Sequence, residues 1–210
     1  RHLILILFFL LPSISQASET LGKRIVTPEG IVVLVSERHD LPIVKVSTII
    51  RAGSTLELEE KAGLANLTAE LLTEGTKKRT SSQISDEIDF IGGSLDTSGG
   101  NDYISVSLSV LKKDIEKGFD LLSDMILNPA FDEKEIDRKK KLIKDAIKRE
   151  EEEPESVAGK AFIKEVFGKH PYGRPVEGKE ETIDRITRND ILEFHARNYS
   201  PNNTIMGIAG

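Results

Sequence analysis

Histidine and carboxylate side chains are the groups in this chain that could bind a metal or exchange protons, because cysteine is absent. The four histidines are His2, His39, His170 and His195. None stands three or four residues from another, the spacing that places two imidazoles on one face of a helix. Without cysteine, thiolate metal sites and disulfides are both excluded. The histidines alone therefore predict no metal site.

The most apolar candidate helix is the segment 63–74, which reads GLANLTAELLTE. Its leucines recur at helical spacing, and Gly75 is typical of a residue that ends a helix. Glu70 and Glu74 stand four residues apart on this otherwise apolar helix. We expect both carboxylates to face a water-filled cavity, because neighbours at this spacing share one side of a helix.

Short β-branched or alternating runs predict a sheet. Strands are expected at 31–36 and 41–52, joined as an antiparallel pair by a turn at 38–40, and at 103–110, paired with 94–98. Further helices are expected over the segments 81–91, 115–126, 132–153, 155–167 and 187–199. The predicted order β-β-α-α-β-β-α-α-α-α-β, which ends in a strand from residue 203, indicates an α+β fold. Its helices should collect on one face of a mostly antiparallel sheet.

Both ends of the chain carry signals of their own. Residues 3–11 are large and apolar, follow a basic start and precede a small-x-small segment, so residues 1–17 are expected to be a signal peptide. A short membrane anchor or a buried strand is the alternative. The strand from residue 203 stops in mid-run, which predicts one domain over residues 18–210, truncated before a second half. An exported chain without cysteine indicates a periplasmic or secreted protein.

Composition excludes some partners. Hydrophobic residues make up 38% and charged residues 30%, which is ordinary for a soluble globular domain. The net charge of -6 argues against a nucleic-acid partner. The apolar run near the N-terminus has about half of the length that a membrane-spanning helix needs, so no stable span is expected.

Four segments of the chain carry a family resemblance. They are RAGS (51–54) leading to GLANLTAELLTEGT (63–76), NPAF (128–131) leading to KREEEEP (148–154), HPYGRPVEG (170–178), and FHARNYSPNN (194–203). In this order and spacing they resemble the insulinase/pitrilysin family, which includes the mitochondrial processing peptidases. The resemblance implies a subunit built from two related halves, of which this chain is the first.

Active members of that family carry the inverted zinc motif H-x-x-E-H on the helix that matches 63–74. Its two histidines bind zinc, its glutamate is the general base, and a glutamate from a later helix is the third ligand. Here the resemblance places Asn66 and Glu70 at the histidine positions, Ala69 at the base position and Ala146 at the third-ligand position. It therefore implies no catalytic residue, no bound zinc and no other cofactor.

Two clusters of charge leave alternatives open. Asn66, Glu70 and Asp145 could offer three oxygens to calcium or magnesium, or could form part of a solvated helix face. Residues 139–141 are three lysines, which could bind a polyanion or, among the acidic residues of the same helix, be solvated.

Two histidines lie near conspicuous motifs. His170 begins HPYGRP, which is either a loop at a substrate chamber or a turn between helices whose backbone Pro171, Gly173 and Pro175 fix. His195 lies in a predicted helix and receives no role.

Three functions are compatible with these observations. The favoured one is a non-catalytic subunit that completes a chamber for unfolded peptides with an H-x-x-E-H partner. The second is an active zinc-dependent endopeptidase with an atypical site. The third is an envelope scaffold or binding protein without a peptidase partner, because a fold alone does not define a function.

Overall fold

The computed structural model describes residues 22–210. The predicted signal peptide, residues 1–17, lies outside them. Within the described range no helix combines the length and the apolar character that crossing a membrane requires.

A six-stranded sheet organises the domain, in the spatial order β1-β2-β6-β3-β5-β4. Its strands are β1 (Lys23–Val26), β2 (Val32–Ser36), β3 (Ile43–Ile50), β4 (Ser94–Gly99), β5 (Ile104–Leu111) and β6 (Thr204–Ala209). All neighbouring pairs are antiparallel except β2 and β6, which run parallel. The predicted α+β fold with a mostly antiparallel sheet is therefore confirmed.

The centre of the sheet differs from the prediction. β2 and β3 were expected to pair through the turn at 38–40, but β6 lies between them, with Ala209 aligned to both Ser36 and Lys45. The last strand, predicted from residue 203 without a partner, thus has one on each side. β1 was not predicted, because it has four residues and all are exposed.

One face of the sheet is packed, and the opposite face carries the serines of β5 together with apolar residues such as Leu34 and Ile49. In β5 the side chains of Ile104, Val106, Leu108 and Val110 are buried, as their alternation with serines predicts. The buried residues Val46, Thr48 and Ile50 of β3 continue this face. The helices cover it, so the apolar core lies between the sheet and one helical layer.

Seven α-helices occur in the described residues. They are α1 (Leu64–Glu70), α2 (Ser81–Phe90), α3 (Ile115–Leu127), α4 (Glu133–Glu151), α5 (Pro154–Phe167), α6 (Glu180–Arg185) and α7 (Arg188–Asn198). Thr80 caps α2 through a reciprocal pair of hydrogen bonds with Gln83. α6 was not predicted. Leu142 of α4 is 49% exposed, whereas Ile136, Ile143 and Ile147 form the buried side of this helix.

Candidate functional site

The helix that carries the altered motif, α1, is held at its start by a buried carboxylate. Gly63, with φ of 97°, turns the chain into α1. Glu57 is buried and accepts hydrogen bonds from the N–H groups of Gly63 and Ala65, each at 2.9 Å. A carboxylate at a helix N-terminus satisfies N–H groups that have no partner within the helix. Burial nevertheless raises the pKa of Glu57 to about 7.

Only a narrow stripe of α1 and its continuation is accessible. The helix extends as a 3-10 turn over Leu71–Glu74, and its apolar residues are buried nearly all round. Apart from Thr73, the residues that keep some exposure are Asn66, Glu70 and Glu74, which are spaced four residues apart and form the stripe. The Nδ2 atom of Asn66 donates to Oε1 of Glu70 at 3.0 Å. Ala69, at the position of the general base in active relatives, is fully buried and offers no proton-accepting atom.

Two basic residues of α4 close over this stripe. Nζ of Lys139 lies 2.7 Å from Oε1 of Glu74 and 3.6 Å from Oε2 of Glu70. Arg138 pairs with Oε2 of Glu74 and with Glu135. Although burial raises the pKa of Glu74, the hydrogen bonds and charges of Lys139 and Arg138 outweigh it and hold that pKa below its usual value.

These contacts correct two expectations. Glu74, whose side chain is 10% exposed, was expected to face a water-filled cavity but is paired with cations. The lysines at 139–141 were interpreted as solvated or as a polyanion patch, yet Nζ of Lys140 donates to the carbonyl oxygen of Ile186 and Lys139 is committed to Glu74. Of the three, Lys141 is the exposed one.

Zinc does not fit the residues at these positions. Ala146, half-buried in α4, has no donor atom in its side chain, and the amide of Asn66 is a poor zinc ligand. The ammonium of Lys139 lies beside Glu70, so a cation already occupies the neighbourhood of that carboxylate. Nor do residues 22–210 gather three or more histidine, aspartate or glutamate side chains in a group that could hold a metal. The structure therefore gives no support to a calcium or magnesium site that includes Asp145.

The sheet edge lies directly beside the altered motif. β4 is the last strand of the sheet and, among the described strands, pairs with β5 alone. A Cβ atom added to Gly99 of β4 would lie only 2.7 Å from Oδ1 of Asn66. An edge strand offers unpaired backbone groups to which an extended peptide can add. An extended peptide added to this edge would therefore lie next to Asn66.

His170 and His195 both contact other segments of the fold. Nδ1 of His170 accepts the N–H of Tyr172, whose hydroxyl donates to Oδ2 of Asp102 at 2.6 Å, so the HPYGRP turn is tied to the loop between β4 and β5. Nε2 of His195 lies 2.9 Å from the carbonyl oxygen of Ile126, and burial lowers the pKa of His195. Neither imidazole lies in the stripe of α1.

The sequence did not reveal that Glu57 caps α1 or that Lys139 pairs with Glu74. Glu57 precedes α1 by seven residues within a loop, and no spacing rule links it to the helix start. Lys139 is separated from Glu74 by more than sixty residues, so only the packing of α4 against α1 brings them together.

Comparison of the sequence with known proteins gives a family. The family model described as "Insulinase (Peptidase family M16)" matches residues 32–180. The chain is 29% identical over 187 residues to an "Uncharacterized zinc protease" of Mycobacterium leprae, covering 89% of this chain and 42% of that protein. It is 24% identical over 188 residues to the uncharacterized zinc protease YmxG of Bacillus subtilis, covering 90% and 46%. The chain thus spans less than half the length of these relatives.

Comparison of the structure gives the same fold. A crystal structure of a peptidase M16 inactive domain from Pseudomonas fluorescens superposes with a TM-score of 0.86 at 25% identity, covering 90% of this chain and 46% of that one. A protease from Helicobacter pylori superposes with a TM-score of 0.84 at 19% identity, covering 89% and 45%, and shows the shared fold alone.

Proposed function

The chain belongs to the insulinase family, peptidase family M16, and we propose that it is a non-catalytic member that completes a peptide-binding chamber with a zinc-bearing H-x-x-E-H partner. The chamber would lie in the periplasm or outside the cell. In this proposal the chain contributes a wall and a strand edge for unfolded peptides, and the partner contributes the metal and the general base.

One observation supports this proposal most strongly. The fold of the family is kept, while the accessible stripe of α1 presents Asn66 bonded to Glu70, and Glu70 beside the ammonium of Lys139. Removal of a general base alone costs about 10²–10⁴-fold in rate, and the motif positions of α1 hold neither the base, at Ala69, nor the two histidines, at Asn66 and Glu70. The solved inactive domain of the same family is a precedent for such a chain.

Peptide binding is assigned to the free edge of β4. Main-chain hydrogen bonds to an edge strand are insensitive to side-chain identity, which suits a chamber that accepts many unfolded sequences. The outward residues Ser94, Asp96 and Ser98 of β4 are exposed and polar. A bound strand would therefore be fixed by its backbone and by proximity to α1 more than by a deep side-chain pocket.

The experiment combines purified chain with its zinc-bearing partner. We expect a stable complex in analytical ultracentrifugation and at least a tenfold rise in the partner's kcat/KM for an unstructured peptide. A chain that stays monomeric beside its partner and leaves that kcat/KM unchanged would contradict the proposal.

A glycine pair tests the strand edge. Gly99→Ala forces β4 away from α1, because the new Cβ would lie 2.8 Å from Cα of Asn66, whereas Gly159 has open space around it. We expect Gly99→Ala to weaken peptide binding to the complex, measured by fluorescence anisotropy, and Gly159→Ala to leave it unchanged. Equal binding by the two variants would remove the assignment to β4.

A second candidate function is an active zinc endopeptidase, since several relatives are named zinc proteases. It requires a metal and a base that the stripe of α1 does not supply. Chelator-sensitive cleavage of a peptide by the chain in the absence of any partner would favour it over the non-catalytic function.

A further inference from the structure

The polar cluster between α1 and α4 is closed by its own side chains. Oε1 of Glu70 accepts a hydrogen bond from the side-chain amide of Asn66, and Oε2 of Glu70 lies 3.6 Å from the ammonium of Lys139. Oε1 of Glu74 lies 2.7 Å from Lys139, and its Oε2 pairs with Arg138. Every carboxylate oxygen on this stripe therefore already has a positively charged or hydrogen-bonding partner.

The ion pair between Lys139 and Glu74 is largely buried, so each charge needs the other. The side chain of Lys139 is 15% exposed and that of Glu74 is 10% exposed. A charge that is removed from water to this extent is tolerated only when an opposite charge and hydrogen bonds compensate it. Lys139 and Glu74 thus depend on each other, unlike the exposed ion pairs elsewhere on α4, such as that between Lys148 and Glu180.

We propose that Lys139 is the resident cation that replaces a divalent metal in this domain. Its ammonium links α4 to Glu70 of α1 and to Glu74 in the 3-10 turn that extends α1, so it joins the two helices that a shared metal would join in the family arrangement. Its charge repels a second cation from Glu70. The inference rests on the proposed non-catalytic function and adds that the domain holds these helices together without any metal.

The first consequence concerns stability. Lys139→Met keeps most of the length of the side chain and removes the charge, which leaves the buried carboxylate of Glu74 with Arg138 and the hydroxyl of Ser81, which donates at 3.4 Å. We expect the melting temperature to fall by about 4–8 °C. The matched control, Lys141→Met, changes an exposed lysine of the same helix and should shift it by no more than about 1 °C. The wild-type melting temperature should be the same with and without EDTA.

The second consequence concerns metal binding. The triple variant Asn66→His/Glu70→His/Ala146→Glu supplies the three family ligands and leaves Ala69 in place, so it tests binding without catalysis. Titration calorimetry with zinc chloride should give weak binding while Lys139 is present. Adding Lys139→Met should tighten the zinc Kd at least tenfold, because the competing positive charge is gone.

A second measurement covers the case in which the triple variant fails to fold. Lys139→Met alone exposes Glu70 and Glu74 to an added cation, and calcium binds such oxygen pairs weakly, with Kd of order 10⁻³ M. About 10 mM calcium chloride should restore part of its lost melting temperature. Wild type and Lys141→Met should not respond.

The outcomes separate this inference from the proposed function. Equal zinc affinity with and without Lys139, or equal melting temperatures for the two lysine variants, would overturn the role of Lys139 and leave the non-catalytic function standing. Stoichiometric zinc in the wild type, with peptide cleavage, would overturn the non-catalytic function itself.

Discussion

The two sides of α1 have different relations to the rest of the molecule. On one side Leu64, Leu67 and Leu71 are buried in the core that joins the sheet to the helices. On the other, Asn66 and Glu70 are half-buried, Asn66 donates a hydrogen bond to Glu70, and Glu70 lies beside Lys139 of α4. A helix of seven residues thus carries a buried apolar face beside a half-buried polar stripe.

The difference teaches which residues of α1 the fold constrains and which it leaves free to change. Close packing penalises any change of volume in the core, so the leucine face is constrained by stability. The stripe is constrained only by charge balance, which Lys139 supplies. Substitutions on the leucine face should therefore lower the free energy of unfolding more than substitutions on the stripe, and the following predictions test that difference.

The largest effect is expected on the packing face. Leu67 is fully buried, and Leu67→Ala should lower the free energy of unfolding by about 2–5 kcal/mol through lost burial and the cavity left behind. Urea denaturation measures the change. Leu127→Ala, at a position that is 68% exposed, is the matched control and should cost much less. A similar loss for both variants would show that α1 is not held by its leucine face.

The next effect concerns the start of α1. Burial raises the pKa of Glu57 to about 7 in the folded state, from 4.5 for the free side chain. The stability that this group contributes is therefore fully present below about pH 4.5 and is lost as the pH rises through about 7. Between pH 5 and pH 8 the free energy of unfolding should fall by about 2–3 kcal/mol more in the wild type than in Glu57→Gln.

Urea titrations at several pH values measure this slope, and Glu60→Gln, at an exposed position in the same loop, is the matched control. Parallel pH profiles for wild type and Glu57→Gln would mean that the two N–H donors at the helix start outweigh the effect of burial on Glu57.

The smallest effect is expected on the polar stripe. Asn66→Ala removes one hydrogen bond to Glu70, whose side chain is 32% exposed, so water can replace the amide. The free energy of unfolding should change by about 0.5 kcal/mol or less. A loss comparable to that of Leu67→Ala would contradict the division of α1 into two faces.

Local patterns in the sequence predicted most elements. The alternation of apolar residues with serines predicted both the strand β5 and its buried face, because successive side chains of a strand point to opposite faces of the sheet. The pairing of the strands could not be predicted in the same way. The short turn at 38–40 favoured a β2–β3 hairpin, but β6, from the far end of the chain, lies between these two strands. Nothing local to residues 31–52 encodes that insertion.

The candidate site shows the same limit. The identities of Asn66, Ala69 and Glu70 could be interpreted from the sequence because the motif they replace is local to one helix. The partners of that stripe could not, since Lys139 and the edge strand β4 reach α1 only through tertiary packing. From the sequence alone, the charged face of α4 was therefore interpreted as a solvated surface.

Zinc content and peptide cleavage, measured together on one sample of the wild-type chain, test the central claim most directly. After equilibration with micromolar zinc and removal of free metal, we expect far less than one equivalent of zinc by mass spectrometry and no cleavage that EDTA inhibits. One equivalent of tightly bound zinc, accompanied by chelator-sensitive cleavage without a partner, would contradict the account.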